Sequence, residues 1–153
     1  MGTRSLTFVY DGETPLINMY RQFDGYPTGH GAELAEFLSQ FKAITNGLQL
    51  NDKRKTANGM GCLAAQLIAH FKESAGGFYI HPVTETECGQ DYEYHVYQST
   101  EVVPFGEGEP PLRVRITNRG CNFFGLTMSE TNEAIFDGTV IEFAKFCQVE
   151  ETV

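Results

Sequence analysis

The segment Tyr20–Gly31, YRQFDGYPTGHG, sets an arginine, an aspartate, a histidine and two tyrosines among three glycines and a proline. Arg21 offers a planar cation for bidentate capture of a carboxylate or phosphate. Asp24 and His30 supply a carboxylate and an imidazole, the equipment for moving a proton near neutral pH. Tyr20 and Tyr26 add hydroxyls and ring faces. Tyr20, Arg21, Asp24, Tyr26 and His30 are therefore the candidate ligand-binding residues. Within that set His30, as acid–base, with Asp24 and Arg21, are the candidate catalytic groups. Two features argue against a phosphate loop. Glycines at 25, 29 and 31 fit neither the Walker nor the dinucleotide spacing. Glu33 and Glu36 follow at once and would place carboxylates at the positive end of the next helix. Asp24-Gly25 and Tyr26-Pro27 are also ordinary turn pairs, so a structural role stands beside the functional one.

Other reactive side chains are scattered. In NGMGC, Asn58 to Cys62, a thiol sits in the first turn of an expected helix, where its pKa can fall, although a small buried residue fits equally there. The four cysteines, Cys62, Cys88, Cys121 and Cys147, include no CxxC pair and suit the reduced thiols of a cytoplasmic protein. His81, Cys88 and His95 recur at even seven-residue intervals and would converge only if the chain between them folds back. The histidines and cysteines as a whole lack zinc-like spacing, so no metal and no cofactor is assigned. Arg113 and Arg115, with Arg119 beyond, lie on the same expected face as Glu93, His95 and Tyr97. That face could take an acidic ligand or a partner subunit, or its charges could pair across strands.

The elements that must position these groups follow from periodicity. SLTFVY and LINMYRQF flank the turn DGETP and predict a β-hairpin. In LINMYRQF, Ile17, Met19, Arg21 and Phe23 alternate with Leu16, Asn18, Tyr20 and Gln22. GAELAEFLSQFKAI places Leu34, Phe37, Leu38 and Phe41 at i, i+3, i+4 and i+7, predicting a helix that runs to Asn46-Gly47. After a polar connector containing NDKRK, a more buried helix is expected over MGCLAAQLIAHFKES, ending at Gly76-Gly77. GFYIHPV, DYEYHVYQS and LRVRITN read as further strands, the last two with clean alternation. A third helix closes the chain, capped either by Asp137 or by a Thr139/Glu142 capping box. TEVVPFGEGEPP reads as an exposed loop. Segregated runs of strands and helices predict one α+β domain over residues 1–153, with a mainly antiparallel sheet of about five strands and helices on one face.

A net charge of −9 disfavours phosphate backbones, so nucleic acid is not an expected partner. No segment reaches membrane-spanning length and none near the start has the apolar run of a signal peptide, which points to a soluble cytoplasmic chain without a membrane partner. Twelve phenylalanines and seven tyrosines, with no tryptophan, predict a core filled by rings.

INMYRQFDGYPTGHGAELAEFL resembles a segment of small bacterial and phage proteins that carry a strand pair, a Tyr-Arg-Gln-x-Asp-Gly-Tyr-Pro-x-x-His-Gly run and then a helix. The similarity is best over residues 5–41 and weaker through the second helix, the later hairpin and the FDGTVIEFAKF tail. No activity is established for that group, so the resemblance assigns no catalytic residue. With no complete catalytic or cofactor motif, the sequence is read first as a binding or assembly module forming homo-oligomers, with a small molecule as the other candidate partner. The alternative is a hydrolase- or transferase-like small-molecule enzyme with its site at Tyr20–Gly31.

Overall fold

The structure, a computed structural model, describes residues 2–45, 55–99, 111–118 and 134–149. The expected hairpin forms from β1 (Ser5–Asp11) and β2 (Thr14–Arg21), with Tyr10 opposite Pro15 at a bulge. Beyond it, one wide π-type turn (Pro27–Gly31) leads into α1 (Ala32–Ser39). β3 (Phe41–Thr45), β4 (Lys55–Asn58) and α2 (Gly59–Phe71) follow. The chain then adds β5 (Phe78–His81), β6 (Tyr92–Gln98), β7 (Leu112–Asn118), β8 (Ala134–Thr139) and α3 (Val140–Val149).

Six strands form one sheet in the order β5-β2-β1-β6-β7-β8, and β3-β4 form a separate parallel pair. All neighbours in the large sheet are antiparallel except β1 and β6, so the fold is α+β with a mainly antiparallel sheet. The parallel β1–β6 contact is a consequence of order: β2, α1, α2 and β5 all come between β1 and β6, whose ends are too far apart in sequence for a hairpin.

Alternation assigns the two faces. Val9, Met19, Tyr94, Val96, Val114 and Ile116 point to one side, where they meet Leu34, Phe37 and Leu38 of α1, Leu63 and Leu67 of α2, and Phe143 and Cys147 of α3. Rings supply much of the contact, with Tyr94 against Phe143 and Phe37 against Phe41 and Phe71. Each such fully buried side chain contributes about 1.5–3 kcal/mol of transfer free energy. The other face carries a smaller cluster, Leu6, Phe8 and Tyr20, and a row of polar groups.

Two expectations about boundaries need correction. The helix starting near Ala32 stops at Ser39 rather than at Asn46-Gly47. The Ser39 hydroxyl donates back to the Ala35 carbonyl at 2.5 Å, competing with the helix ladder, and Phe41–Thr45 becomes a strand. Phe41 is buried as the i+7 spacing requires, but from a strand that pairs with Lys55–Asn58, a segment read as connector. Lys55 lies over the Phe37 and Phe41 rings at 4.8 and 5.0 Å, so its chain covers the core instead of trailing in solvent. The second helix likewise ends at Phe71, ahead of Gly76-Gly77. The large sheet has six strands, in keeping with the expected mainly antiparallel sheet of about five, and β8 comes from the start of the helix-bound tail. Asn46-Gly47, residues 51–54 of NDKRK, residues 100–110 of the long connector, Arg119 and Cys121 lie outside the described residues.

Of the two caps considered for α3, the capping box forms. The Thr139 N–H donates to Glu142 Oε1 at 3.0 Å, and the Glu142 N–H donates to Thr139 Oγ1 at 3.3 Å. Hydrogen bonding to its carboxylate from the Thr139 backbone N–H, and then from the Thr139 side chain, holds the Glu142 carboxyl below its ordinary pKa. Thr139→Ala should therefore lower stability by about 1 kcal/mol in urea denaturation, with the fold retained.

Candidate functional site

The Tyr20–Gly31 segment is the crossing from the sheet to the helices. β2 ends beside Ser5, and the chain passes over the end of β1: the Gly25 N–H donates to the Thr3 carbonyl at 2.9 Å and the Tyr94 hydroxyl donates to the Gly25 carbonyl at 2.7 Å. A Cβ on Gly25 would sit 2.8 Å from the Arg4 carbonyl carbon and from Ser5 Cβ, a clash with backbone that glycine alone avoids. Asp24 adopts φ 61°, a left-handed conformation that Asp tolerates better than most residues. Its carbonyl accepts the His30 N–H at 2.8 Å, closing the corner.

Arg21 faces the helices with Ile17 and Met19, as alternation predicts, and meets His30. The Arg21 Nη1 donates to His30 Nδ1 at 3.1 Å, and Nε donates to the Phe23 carbonyl at 2.6 Å. The same guanidinium pairs with Glu33 and lies 5.0 Å from the centre of the Phe78 ring. His30 is fully buried between Phe71 and Tyr94. Because arginine only donates, Nδ1 must accept, which leaves Nε2–H to donate to Thr7 Oγ1 at 2.7 Å. Burial, helped by the Arg21 charge, lowers the His30 pKa to about 3.

The structure thus joins Arg21 to His30 and sends the other three candidates elsewhere. The Asp24 carboxylate accepts from the exposed Tyr26 hydroxyl at 3.2 Å, while both His30 ring nitrogens are engaged by Thr7 and Arg21. Tyr20 lies on the opposite face of the sheet, packed with Leu6 and Phe8, its hydroxyl donating to Gln22 Oε1 at 2.7 Å. Thr7 and Glu33 complete the cluster; Thr7 carried no sequence signal, being one polar position in an apolar strand.

A second constellation occupies the sheet face away from the helices. There Tyr10 of β1, Glu93, His95 and Tyr97 of β6, Arg115 and Thr117 of β7, and Asp137 of β8 line a cleft of about 490 Å³, flanked by Gly12 and Thr86. The strand register builds it: His95 lies opposite Arg115, Glu93 opposite Thr117, and Arg115 opposite Asp137. At its centre is a polarised chain of hydrogen bonds. The Thr117 hydroxyl donates to Glu93 Oε2 at 3.3 Å. Thr117 Oγ1 then accepts from His95 Nε2–H at 3.4 Å, and His95 Nδ1 accepts the Tyr10 hydroxyl at 2.7 Å. Phe8 stacks on His95 at 5.3 Å with an interplanar angle of 5°. Burial and then Arg115 lower the His95 pKa to about 4, while burial and then Glu93 raise that of Tyr10.

Expected cross-strand pairing and an expected charged face are both present here. Arg113 reaches Asp137 at 3.8 Å and donates through Nε to the Tyr97 hydroxyl at 3.2 Å. Glu93 is nearly buried rather than rim-exposed. Tyr10, Thr117 and Asp137 were not recognised as site residues from sequence. Strand alternation alone puts Tyr10 and Thr117 on this face, but only the register shows that they meet.

Of the evenly spaced His81, Cys88 and His95, the structure brings the first two together and adds Glu85, whereas His95 belongs to the cleft. Burial, then Glu85 and Glu93, raise the Cys88 pKa. Cys62 is half-buried on α2 and accepts from Gln66 Nε2 at 3.4 Å. Compared with family models, with curated proteins and with solved structures, the chain matches none.

The two depressed histidines set the acid response. Each is neutral when folded and would take a proton from about pH 6.5 downwards when unfolded, so the unfolded state binds more protons and stability falls as pH drops towards about 3 for His30 and about 4 for His95. Between pH 7 and about 4.5 each should cost about 2–3 kcal/mol. Urea midpoints at the two pH values should show this loss, and His95→Gln should remove close to half of it.

Proposed function

We propose that the chain is a small-molecule-binding module whose ligand occupies the cleft on the open sheet face, and that it works as a homo-oligomer in the cytoplasm. The observation that carries the ligand reading is convergence. Four strands direct two carboxylates, an imidazole, a guanidinium and two phenols into one concavity of about 490 Å³, a volume ordinary for metabolite sites. Arg115 lies between His95 and Asp137 in the register, with Glu93 lining the same cleft, so the best-matched ligand carries an anionic group for the guanidinium and hydroxyl or amino groups for the carboxylates. Zwitterionic and hydroxyl-rich small molecules fit that description.

Binding is favoured over catalysis because a general acid or base works best with its pKa near the working pH. Here His30 and His95 are pushed down to about 3 and about 4, and Tyr10 is pushed up. An enzyme with its site at Tyr20–Gly31 has less support, since Arg21 and His30 spend their polar atoms on Thr7, Glu33 and the Phe23 carbonyl.

Assembly is supported by the sheet edge. β5 is an edge strand of four residues whose Tyr79 and Ile80 are half exposed or more. An open edge with apolar side chains is a template for pairing with a second copy. A cytoplasmic setting agrees with the free thiols of Cys62 and Cys88, and the net charge of −9 speaks against nucleic acid as partner. No helix among the described residues is long and apolar enough to cross a membrane.

A thermal-shift screen of amino acids, sugar acids and nucleosides should find a compound that raises the melting temperature, since a ligand at 100 times its Kd adds about 2.7 kcal/mol. Arg115→Ala should abolish that shift while changing the unliganded melting temperature little; a shift retained by the variant places the ligand elsewhere. Sedimentation should give a species above the 17.1 kDa of one chain, and Ile80→Lys should return it to the monomer. A wild-type monomer at every concentration removes the assembly half of the proposal.

A further inference from the structure

We propose that His81, Glu85 and Cys88 form a binding site for one divalent cation, with zinc the best chemical match, which fastens the 82–91 segment to the end of β5. The inference is separate from the ligand reading of the cleft and does not depend on it. His81 Nδ1, a Glu85 carboxylate oxygen and Cys88 Sγ all lie within 4.8 Å of one another, and the first two are 3.3 Å apart. Zinc bonds of about 2.0 Å to nitrogen and oxygen and about 2.3 Å to sulfur put neighbouring tetrahedral ligands about 3.3–3.7 Å apart. The nitrogen–oxygen edge already has that length, and the sulfur needs to close by about 1 Å. One imidazole, one carboxylate and one thiolate match zinc better than the all-oxygen preference of magnesium or calcium.

The backbone is held in place by bonds that do not use the ligand atoms. The buried Asn18 amide donates to the Pro82 carbonyl at 3.1 Å and to the Glu85 carbonyl at 2.8 Å. The Glu85 N–H donates to the Pro82 carbonyl at 3.0 Å. Gln90, also buried, accepts the Cys88 N–H at 2.8 Å and donates to the Thr86 carbonyl at 2.6 Å. Tyr20 meets the His81 ring edge-on at 5.2 Å and orients it. Asn18 Oδ1 remains buried with no hydrogen-bond partner among the described residues, a further acceptor in the wall that holds the segment. The cluster is half-buried to exposed, so a cation can enter. Binding exchanges the Cys88 thiol proton, released to solvent, for a sulfur–metal bond. With one thiolate and one carboxylate the site neutralises a dication, and the fourth position stays open to water. Thr86, between the ligands, lines the cleft, so the cation would also fix that part of its wall.

Cobalt(II) titrated into chelator-treated full-length protein should saturate at one equivalent, with a thiolate-to-cobalt charge-transfer band and the visible bands of a four-coordinate ion. Zinc should displace it. Cys88→Ser should lose the charge-transfer band, and His81→Ala should weaken zinc binding by about tenfold or more in calorimetry. Cys62→Ser should keep both properties. Glu85→Gln offers a milder variant, expected to weaken zinc while retaining the sulfur band, and circular dichroism of each metal-free variant checks its fold. A charge-transfer band that survives Cys88→Ser, equal zinc affinity in wild type and His81→Ala, or no saturable binding by wild type would each overturn the proposal.

Discussion

A fully buried imidazole needs a partner at each ring nitrogen, and meeting that need at His30 fixes how this sheet joins its helices. Thr7 comes from β1, Arg21 from β2, and Glu33, which completes the arginine's pairing, from α1. One side chain thus ties the centre of the sheet, its neighbouring strand and the first helix at a single point. Leaving either nitrogen unpaired in that setting costs about 1–3 kcal/mol, so the turn that carries His30 has little freedom to move. Gly25 lets the chain pass over Arg4 and Ser5 to reach that point.

The same arrangement explains why the most reactive-looking stretch of the sequence is so well satisfied internally. Turn geometry accounts for Asp24, whose left-handed backbone closes the corner, but not for Arg21 and His30, and each of those two has specific local partners. The polar groups on the opposite face are different in kind. Tyr10, His95, Thr117 and Glu93 form a chain directed across three strands, and Arg115 and Asp137 extend it along the register. None of these bonds closes a turn or caps a helix. They surround a concavity, which is what a ligand requires.

Much of the fold was legible because its strands alternate cleanly. The faces of β2, β6 and β7 follow from Met19 against Tyr20, Tyr94 against His95, and Val114 against Arg115, and the α2 stripe from Met60 to Phe71 is buried as its spacing demands. The β3-β4 pair was not legible, because Phe41 satisfies helical spacing and strand burial alike, and only pairing with Lys55–Asn58 decides between them. Strand order was also hidden. The parallel β1–β6 contact joins residues far apart in sequence, and it is this contact that sets Tyr10 beside His95. The cleft is therefore a product of register, whereas the Tyr20–Gly31 corner is a product of local sequence and is conspicuous for that reason.

The central claim is that the open sheet face, not the Tyr20–Gly31 corner, receives the ligand. Mapping a fragment library by two-dimensional amide NMR tests it most directly. The account predicts saturable shift changes concentrated at Tyr10, Glu93, His95, Arg115 and Thr117, with Arg21, Asp24 and His30 unmoved. Changes centred on Arg21 and His30, with the cleft strands silent, would contradict it.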